Sequence, residues 1–222
     1  MLELTPLQKE TLILFSKSPL KDKFYWTGGT LLSFYYMHHR RSEDIDFFTN
    51  EKFNFEEVNN FAESLKEPLH LKNIESNKIY DRWEFFLKNK DKLKVEFVLY
   101  DHKRLKPTKK WRNMQIDSLE DMATNKTMAL IGRNDPKDLV DMYFILSKRK
   151  FRIQTLLKWV NKKFGVEMSQ STFWSEAFKS FKYLDRIKPL LLGNKKENGE
   201  LVEEMKDYFI SQSNGYLHKI IG

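Results

Sequence analysis

The chain of 222 residues contains no cysteine. That single absence excludes disulfides, thiolate zinc sites and cysteine nucleophiles. Glycine (8) and proline (6) are scarce, and only one pair of glycines, Gly28-Gly29, is adjacent. There is no low-complexity tract and no internal repeat. Apolar runs such as Leu12-Ile13-Leu14-Phe15 and Phe97-Val98-Leu99-Tyr100 fall far short of the roughly 20 residues a membrane span needs. The opening Met1-Leu2-Glu3 lacks a basic segment followed by an apolar one, so no signal peptide is expected. The expectation is a soluble, cytoplasmic chain with no membrane partner.

What is present is a chain able to fold. Hydrophobic residues make up 41% and charged residues 32%, enough apolar surface for one large domain or two small ones. The formal charge is +8, with a pI near 9.3. A basic surface recruits polyanions. Most of the excess falls between Lys88 and Arg112, where ten basic residues meet three acidic ones around Trp111. That stretch reads either as a solvated loop or as a phosphate-binding surface beside a nucleotide site.

The N-terminal part alternates. Leu7, Leu12, Leu14 and Phe15 suggest an opening helix, and Lys23 to Thr27 a short buried strand. Gly28-Gly29 breaks the chain, and a helix is expected from Thr30 to about His39. Asp44 to Phe48 reads as a strand and Phe55 to Leu65 as a helix. Arg82 to Lys88 and Leu93 to Tyr100 read as a hairpin turning at Asn89-Lys90-Asp91. This order describes a mixed α/β sheet. After Pro107 the periodicity becomes helical. Ser118 begins a capping box with Asp121 where Glu or Gln is usual, and Pro136 opens the next helix. Further helices are expected over 153–163, 171–181 and 201–210. The expected organisation is an α/β domain over 1–117 and a helical domain over 118–222.

Chemistry concentrates in two short segments. Two glycines between a strand and a helix let backbone N–H groups approach an anion where the helix dipole favours phosphate. Thr30 adds a hydroxyl. In the next strand Asp44 and Asp46 are two residues apart and so share a face, while Ile45 and Phe47 turn to the other. Neighbouring carboxylates repel unless a cation sits between them. With oxygen donors only, that cation is expected to be Mg²⁺ or Mn²⁺. Either motif alone is commonplace: Asp-x-Asp is usually a solvated strand end, and Gly-Gly usually a turn. Glu96 lies opposite Leu93, Val95, Phe97 and Leu99 on an apolar strand and needs a partner. It is either a third carboxylate of the site or the mate of Lys94 or Lys88. Lys126 shares a helix face with Met122, Ala129 and Leu130, so it must snorkel outward or meet a buried anion.

As an ordered set these residues carry a resemblance. Gly28-Gly29-Thr30 followed by Arg41-Ser42-Glu43-Asp44-Ile45-Asp46 resembles the first motif of the nucleotidyltransferase superfamily with a polymerase-β-like fold. More narrowly it resembles the abortive-infection AbiEii/AbiGii toxin branch. Lys126, Arg133 and the pair Asp138 and Asp141 are similar to that branch's later motifs. The resemblance implies a polymerase-β-like α/β domain followed by a helical one that contributes Lys126 and Asp138 to the cleft. It implies metal held by Asp44, Asp46 and Glu96, and catalytic roles for these three with Lys126 and Asp138. Nucleotide would be bound by Gly28, Gly29, Thr30, Arg41, Ser42 and Arg133.

The function expected is Mg²⁺-dependent transfer of a nucleoside monophosphate from a nucleoside triphosphate to an acceptor, with RNA suited to the basic segment; the resemblance implies a tRNA end as that acceptor. The resemblance adds a cognate antitoxin as partner. The alternative is a catalytically inactive member of the same fold that binds nucleotide or a protein. A plain nucleic-acid binder would leave Asp44 and Asp46 without a purpose.

Overall fold

A computed structural model describes residues 3–133 and 135–221. The chain divides into two compact units, Met1–Met122 and Ala123–Gly222.

In the first unit, β1 (Tyr25–Thr27), β2 (Ile45–Thr49), β3 (Asn73–Ile79), β4 (Arg82–Lys88), β5 (Lys92–Leu99), β6 (Lys109–Trp111) and β7 (Met114–Ile116) form one mixed sheet. Its order is β3-β4-β5-β2-β1-β7-β6. β2 runs parallel to β5 and antiparallel to β1. This is the α/β sheet expected from the strand–helix–strand alternation. The two faces differ sharply, because side chains alternate along each strand. One face is aromatic. Phe47 of β2 stacks on Phe15 of α1 (Pro6–Phe15) with centroids 3.7 Å apart, and Phe97 of β5 lies 6.1 Å from Phe61 of α3 (Phe55–Ser64). Truncating a buried Phe of this kind costs about 3–5 kcal/mol. The other face is polar and carries Asp46, Glu96 and Glu84.

Capping fixes where the helices meet the sheet. Thr5 and Gln8 form a reciprocal box at the start of α1, and the Gln8 amide then donates to the Ser42 carbonyl at 2.9 Å. That bond ties α1 to the segment leading into β2.

The second unit is helical. It takes in the later part of α4 (Leu119–Arg133), then α5 (Pro136–Ser147), α6 (Ile153–Phe164), α7 (Gln170–Ser180), a 3₁₀ segment over Phe181–Leu190 and α8 (Lys195–Ile221). Leu139, Met142, Trp174, Leu184, Val202, Met205 and Phe209 are buried there. Trp174 and Phe181 both meet Phe209 edge-on. No helix among the described residues is long and apolar enough to cross a membrane.

Candidate active site

The site begins where β1 ends. Gly28 takes φ +78°, the left-handed region where a side chain is strained. The chain turns there directly into α2 (Gly28–Leu31), which widens into a π-helical segment over Leu32–Met37. Space demands glycine as strongly as backbone does. A β-carbon on Gly28 would stand 1.8 Å from Asp46 Oδ2, and one on Gly29 would stand 2.9 Å from Ser42 Oγ and 3.0 Å from Arg40 Nη2. The diglycine is therefore the floor on which Asp46, Ser42 and Arg40 rest. Arg40 is buried and Arg41 exposed, so the guanidinium packed against Gly29 is that of Arg40. Thr30 spends its hydroxyl inside the protein, in a short hydrogen bond donated to the Asp44 carbonyl. It locks α2 to the start of β2.

Strand register assembles the acids. Thr27 on β1 faces Asp46 on β2, Asp46 faces Glu96 on β5, and Glu96 faces Glu84 on β4. Adjacent strands lie about 4.8 Å apart, so three carboxylates stand in one row across the sheet. Glu84 does not stand out in the sequence, because polar–apolar alternation gives a residue's face but not its neighbour. Two cations thread the row. Lys94 Nζ lies 3.2 Å from Asp44 Oδ2 and forms a short hydrogen bond to Glu96 Oε1. Arg82 reaches Glu96 at 3.6 Å and Glu84 at 3.5 Å. Burial is the largest single influence on the Lys94 ammonium and pulls its pKa down. The combined pull of Glu96 and Asp44 exceeds it and holds the pKa above the ordinary lysine value. Lys94 is therefore charged. Of the two mates open to Glu96 in the sequence, the structure supplies Lys94.

No group of three or more His, Asp or Glu side chains among the described residues converges closely enough to ligate one metal ion. The donor chemistry nevertheless fits a hard divalent cation. Asp44, Asp46 and Glu96 offer only oxygen, and the Lys94 ammonium shows that Asp44 and Glu96 can share one positive charge.

Behind the row, buried Asp117 accepts from the Thr27 hydroxyl at 2.9 Å and from the Ser118 amide at 3.1 Å. Ser118 caps α4 as expected, with its Oγ accepting from the Asp121 amide at 3.0 Å. The box closes differently, because the shorter Asp121 accepts from the Ser118 hydroxyl and from the amides of Leu105 and Lys106. The basic segment is thus not one solvated loop. It spans β5, β6 and their connections, and some of its charge lies on aromatic rings: Arg104 covers Tyr25 at 3.8 Å and Lys109 approaches Tyr36 at 5.3 Å.

In the second unit, the buried anion that meets Lys126 is a pair of aspartates. Its Nζ lies 2.8 Å from Asp138 and 2.7 Å from Asp141, both fully buried. Arg133 adds a two-pronged contact to Asp138 at 2.6 and 2.9 Å. Burial pushes the Asp138 carboxyl upward, but Lys126 and Arg133 outweigh it and hold its pKa below the ordinary aspartate value. Two positive and two negative groups make this cluster formally neutral.

Comparison with known proteins follows the same lines. The family model described as "Nucleotidyl transferase AbiEii toxin, Type IV TA system" matches residues 12–203. An uncharacterized protein of Aquifex aeolicus (strain VF5) is 28% identical over 159 residues, covering 71% of this chain and 74% of that protein. The crystal structure of JHP933 from Helicobacter pylori superposes with a TM-score of 0.59 at 18% identity, over 99% of this chain and 98% of that one. A candidate nucleotidyltransferase from the same organism gives 0.59 at 18% identity, over 97% and 99% of the two chains. At such identities the structural likeness shows the fold alone.

Proposed function

Since the chain belongs to the AbiEii nucleotidyltransferase toxin family, we propose that it transfers a nucleoside monophosphate from a nucleoside triphosphate to an RNA acceptor, with Mg²⁺ or Mn²⁺, as the toxin of a toxin–antitoxin pair. The observation that carries this reading is the Asp46 carboxylate, seated on Gly28 and in register with Glu96. Asp44, Asp46 and Glu96 would hold the divalent cation, which when bound neutralises phosphate oxygens and polarises the acceptor hydroxyl. The first-turn amides of α2 have no carbonyl partner within the helix, and they begin at Gly28, against which the Asp46 carboxylate lies; there they would bind the phosphates. Glu96 either completes the metal-binding set or takes the proton of the acceptor hydroxyl. The acceptor oxygen bonds to the α-phosphorus, the bond from that phosphorus to the bridging oxygen breaks, and pyrophosphate leaves. By sequence resemblance Lys126, Arg41 and Arg133 would meet the triphosphate, and Asp138 would orient Lys126 or Arg133. The basic Lys88–Arg112 segment supports RNA as the acceptor class, since phosphate contacts give sequence-independent affinity.

The test is transfer of label from nucleotides radiolabelled at the α-phosphate to total RNA. Asp46→Asn is expected to abolish transfer while leaving the circular dichroism melt intact. A second reading, nucleotide binding without turnover, draws on Lys94, whose ammonium already bridges Asp44 and Glu96. Calorimetric binding of nucleotide with Mg²⁺ by wild type, without transfer to any RNA, would favour that reading.

A further inference from the structure

Past Asp44 and Lys94 the polar face of the sheet opens into a cavity of about 450 Å³. One lining side chain is apolar and bare. Phe86 is 40% exposed, although its neighbours on β4, Trp83 and Phe85, turn to the opposite face and pack on Phe55. A lone exposed aromatic is ordinary; the position of this one is not. It faces Lys94 in the β4–β5 register, one strand beyond the cation that touches Asp44 and Glu96. One step further along the same face, Lys88 and Lys92 stand directly opposite each other, both exposed. Like charges in that arrangement destabilise a strand pair, and a polyanion would relieve them. The cavity's charges are segregated. Glu43 and Asp44 lie at the β2 side, the two lysines at the β4–β5 hairpin, and Glu75 on β3 faces Phe86 from the far edge.

An aromatic ring beside paired cations is the composition of a single-strand nucleic-acid platform, with a base on the ring and phosphates on the cations. Order across the sheet gives the platform a direction. From β1 to β4 come the diglycine turn, Asp44, Lys94 and Phe86. In phosphoryl transfer the attacking and leaving oxygens lie on opposite sides of the phosphorus. With the triphosphate on the diglycine side, the acceptor hydroxyl arrives from the β5 side, and its base extends over β4. We infer that Phe86 is the stacking platform for the terminal base of a single-stranded RNA acceptor, with Lys88 and Lys92 holding the phosphates that follow it. The inference rests on the transferase reading of the carboxylate row.

The experiment uses a fluorescein-labelled single-stranded oligoribonucleotide and the same strand with an abasic terminal ribose. Binding to the full chain is measured by fluorescence anisotropy without nucleoside triphosphate. Wild type is expected to prefer the intact strand by about tenfold, the worth of one base stacked on an aromatic ring. Phe86→Ala should erase the preference and leave the abasic strand's Kd unchanged, and Phe86→Trp should keep the preference. Lys88→Ala should weaken both strands equally and flatten the salt dependence. Equal affinity of wild type for the two strands, or equal loss on both in Phe86→Ala, overturns the inference. So does a Phe86→Ala defect confined to nucleoside triphosphate binding, read by calorimetry beside the anisotropy, which would give the ring to the incoming nucleotide. If wild type keeps its preference but transfers no label, the transferase reading fails, and Phe86 stacks a terminal base without that strand being an acceptor. If label moves to a different class of acceptor and neither strand binds, the platform fails and the transferase stands.

Discussion

The carboxylate of Asp46 rests on the backbone of Gly28, so closely that a β-carbon there would stand 1.8 Å from Oδ2. The glycine also holds φ +78°, so its replacement is opposed twice, by strain and by collision. Gly28→Ala is expected to lower stability by about 1–3 kcal/mol and to abolish transfer, because the displaced carboxylate is a metal-binding group of the proposed site. Gly132→Ala is the control. It lies within α4 with nothing inside 4 Å of its added carbon, and should stabilise by about 0.5–1 kcal/mol. Denaturant melts of the two variants check both signs; equal effects would mean that the Asp46 contact does not decide the first.

Lys94 occupies, with its own ammonium, the place between Asp44 and Glu96 that a cation would take. Lys94→Met should therefore cost roughly 1–3 kcal/mol in the absence of metal, by leaving the buried Glu96 short of a charged partner. The same variant should gain more from Mn²⁺. Ligand stabilisation grows with affinity, and the competing charge is gone. Melting temperature titrated against Mn²⁺ reads this directly. A smaller Mn²⁺ shift in Lys94→Met than in wild type would make Lys94 a support of the site rather than its competitor.

The sequence was readable wherever one face of an element is buried. β2 announces itself by Ile45 and Phe47 alternating with Asp44 and Asp46, and β4 and β5 by similar alternation around a polar turn. β3 carries no such signal, because Asn73–Ile79 is an edge strand exposed over nearly its whole length. β6 and β7 are three residues each, too short to show a period. Residue types for the site were legible; adjacency was not. That Glu84 joins the row depends on the β4–β5 register, and that Arg40 rather than Arg41 reaches Gly29 depends on the turn after the π-helical segment, where His38 takes φ 52°. Thr30 illustrates the opposite lesson. Its hydroxyl is of a type that binds phosphate, yet it donates to the Asp44 carbonyl just before β2.

Lys126 is held between two fully buried aspartates. Lys126→Met removes the shared charge and leaves Asp138 and Asp141 facing each other, so a loss of about 3–5 kcal/mol is expected. Lys126→Arg keeps the charge but changes its shape, and should lose less. Chemical denaturation separates the two. If Lys126→Met melts like wild type but transfers no label, the lysine serves the triphosphate and its pairing contributes little to the fold.

Acid should expose the same cluster. The Asp138 carboxyl titrates below the ordinary aspartate value of 3.8 when folded, so the folded form binds its proton less readily than the unfolded chain does. A depressed acid contributes stability that is complete above the unfolded value and disappears as pH falls through the folded one. Wild type is therefore expected to lose stability progressively below about pH 4, beyond what surface carboxylates alone impose. Asp138→Asn carries no titrating group at that position. It should start less stable at neutral pH, because Arg133 and Lys126 lose a charged partner, and should show a shallower acid limb. Urea midpoints across pH 3 to 7 measure both curves. Parallel acid limbs in the two proteins would mean that Asp138 is not depressed, and that Lys126 directs its charge chiefly to Asp141.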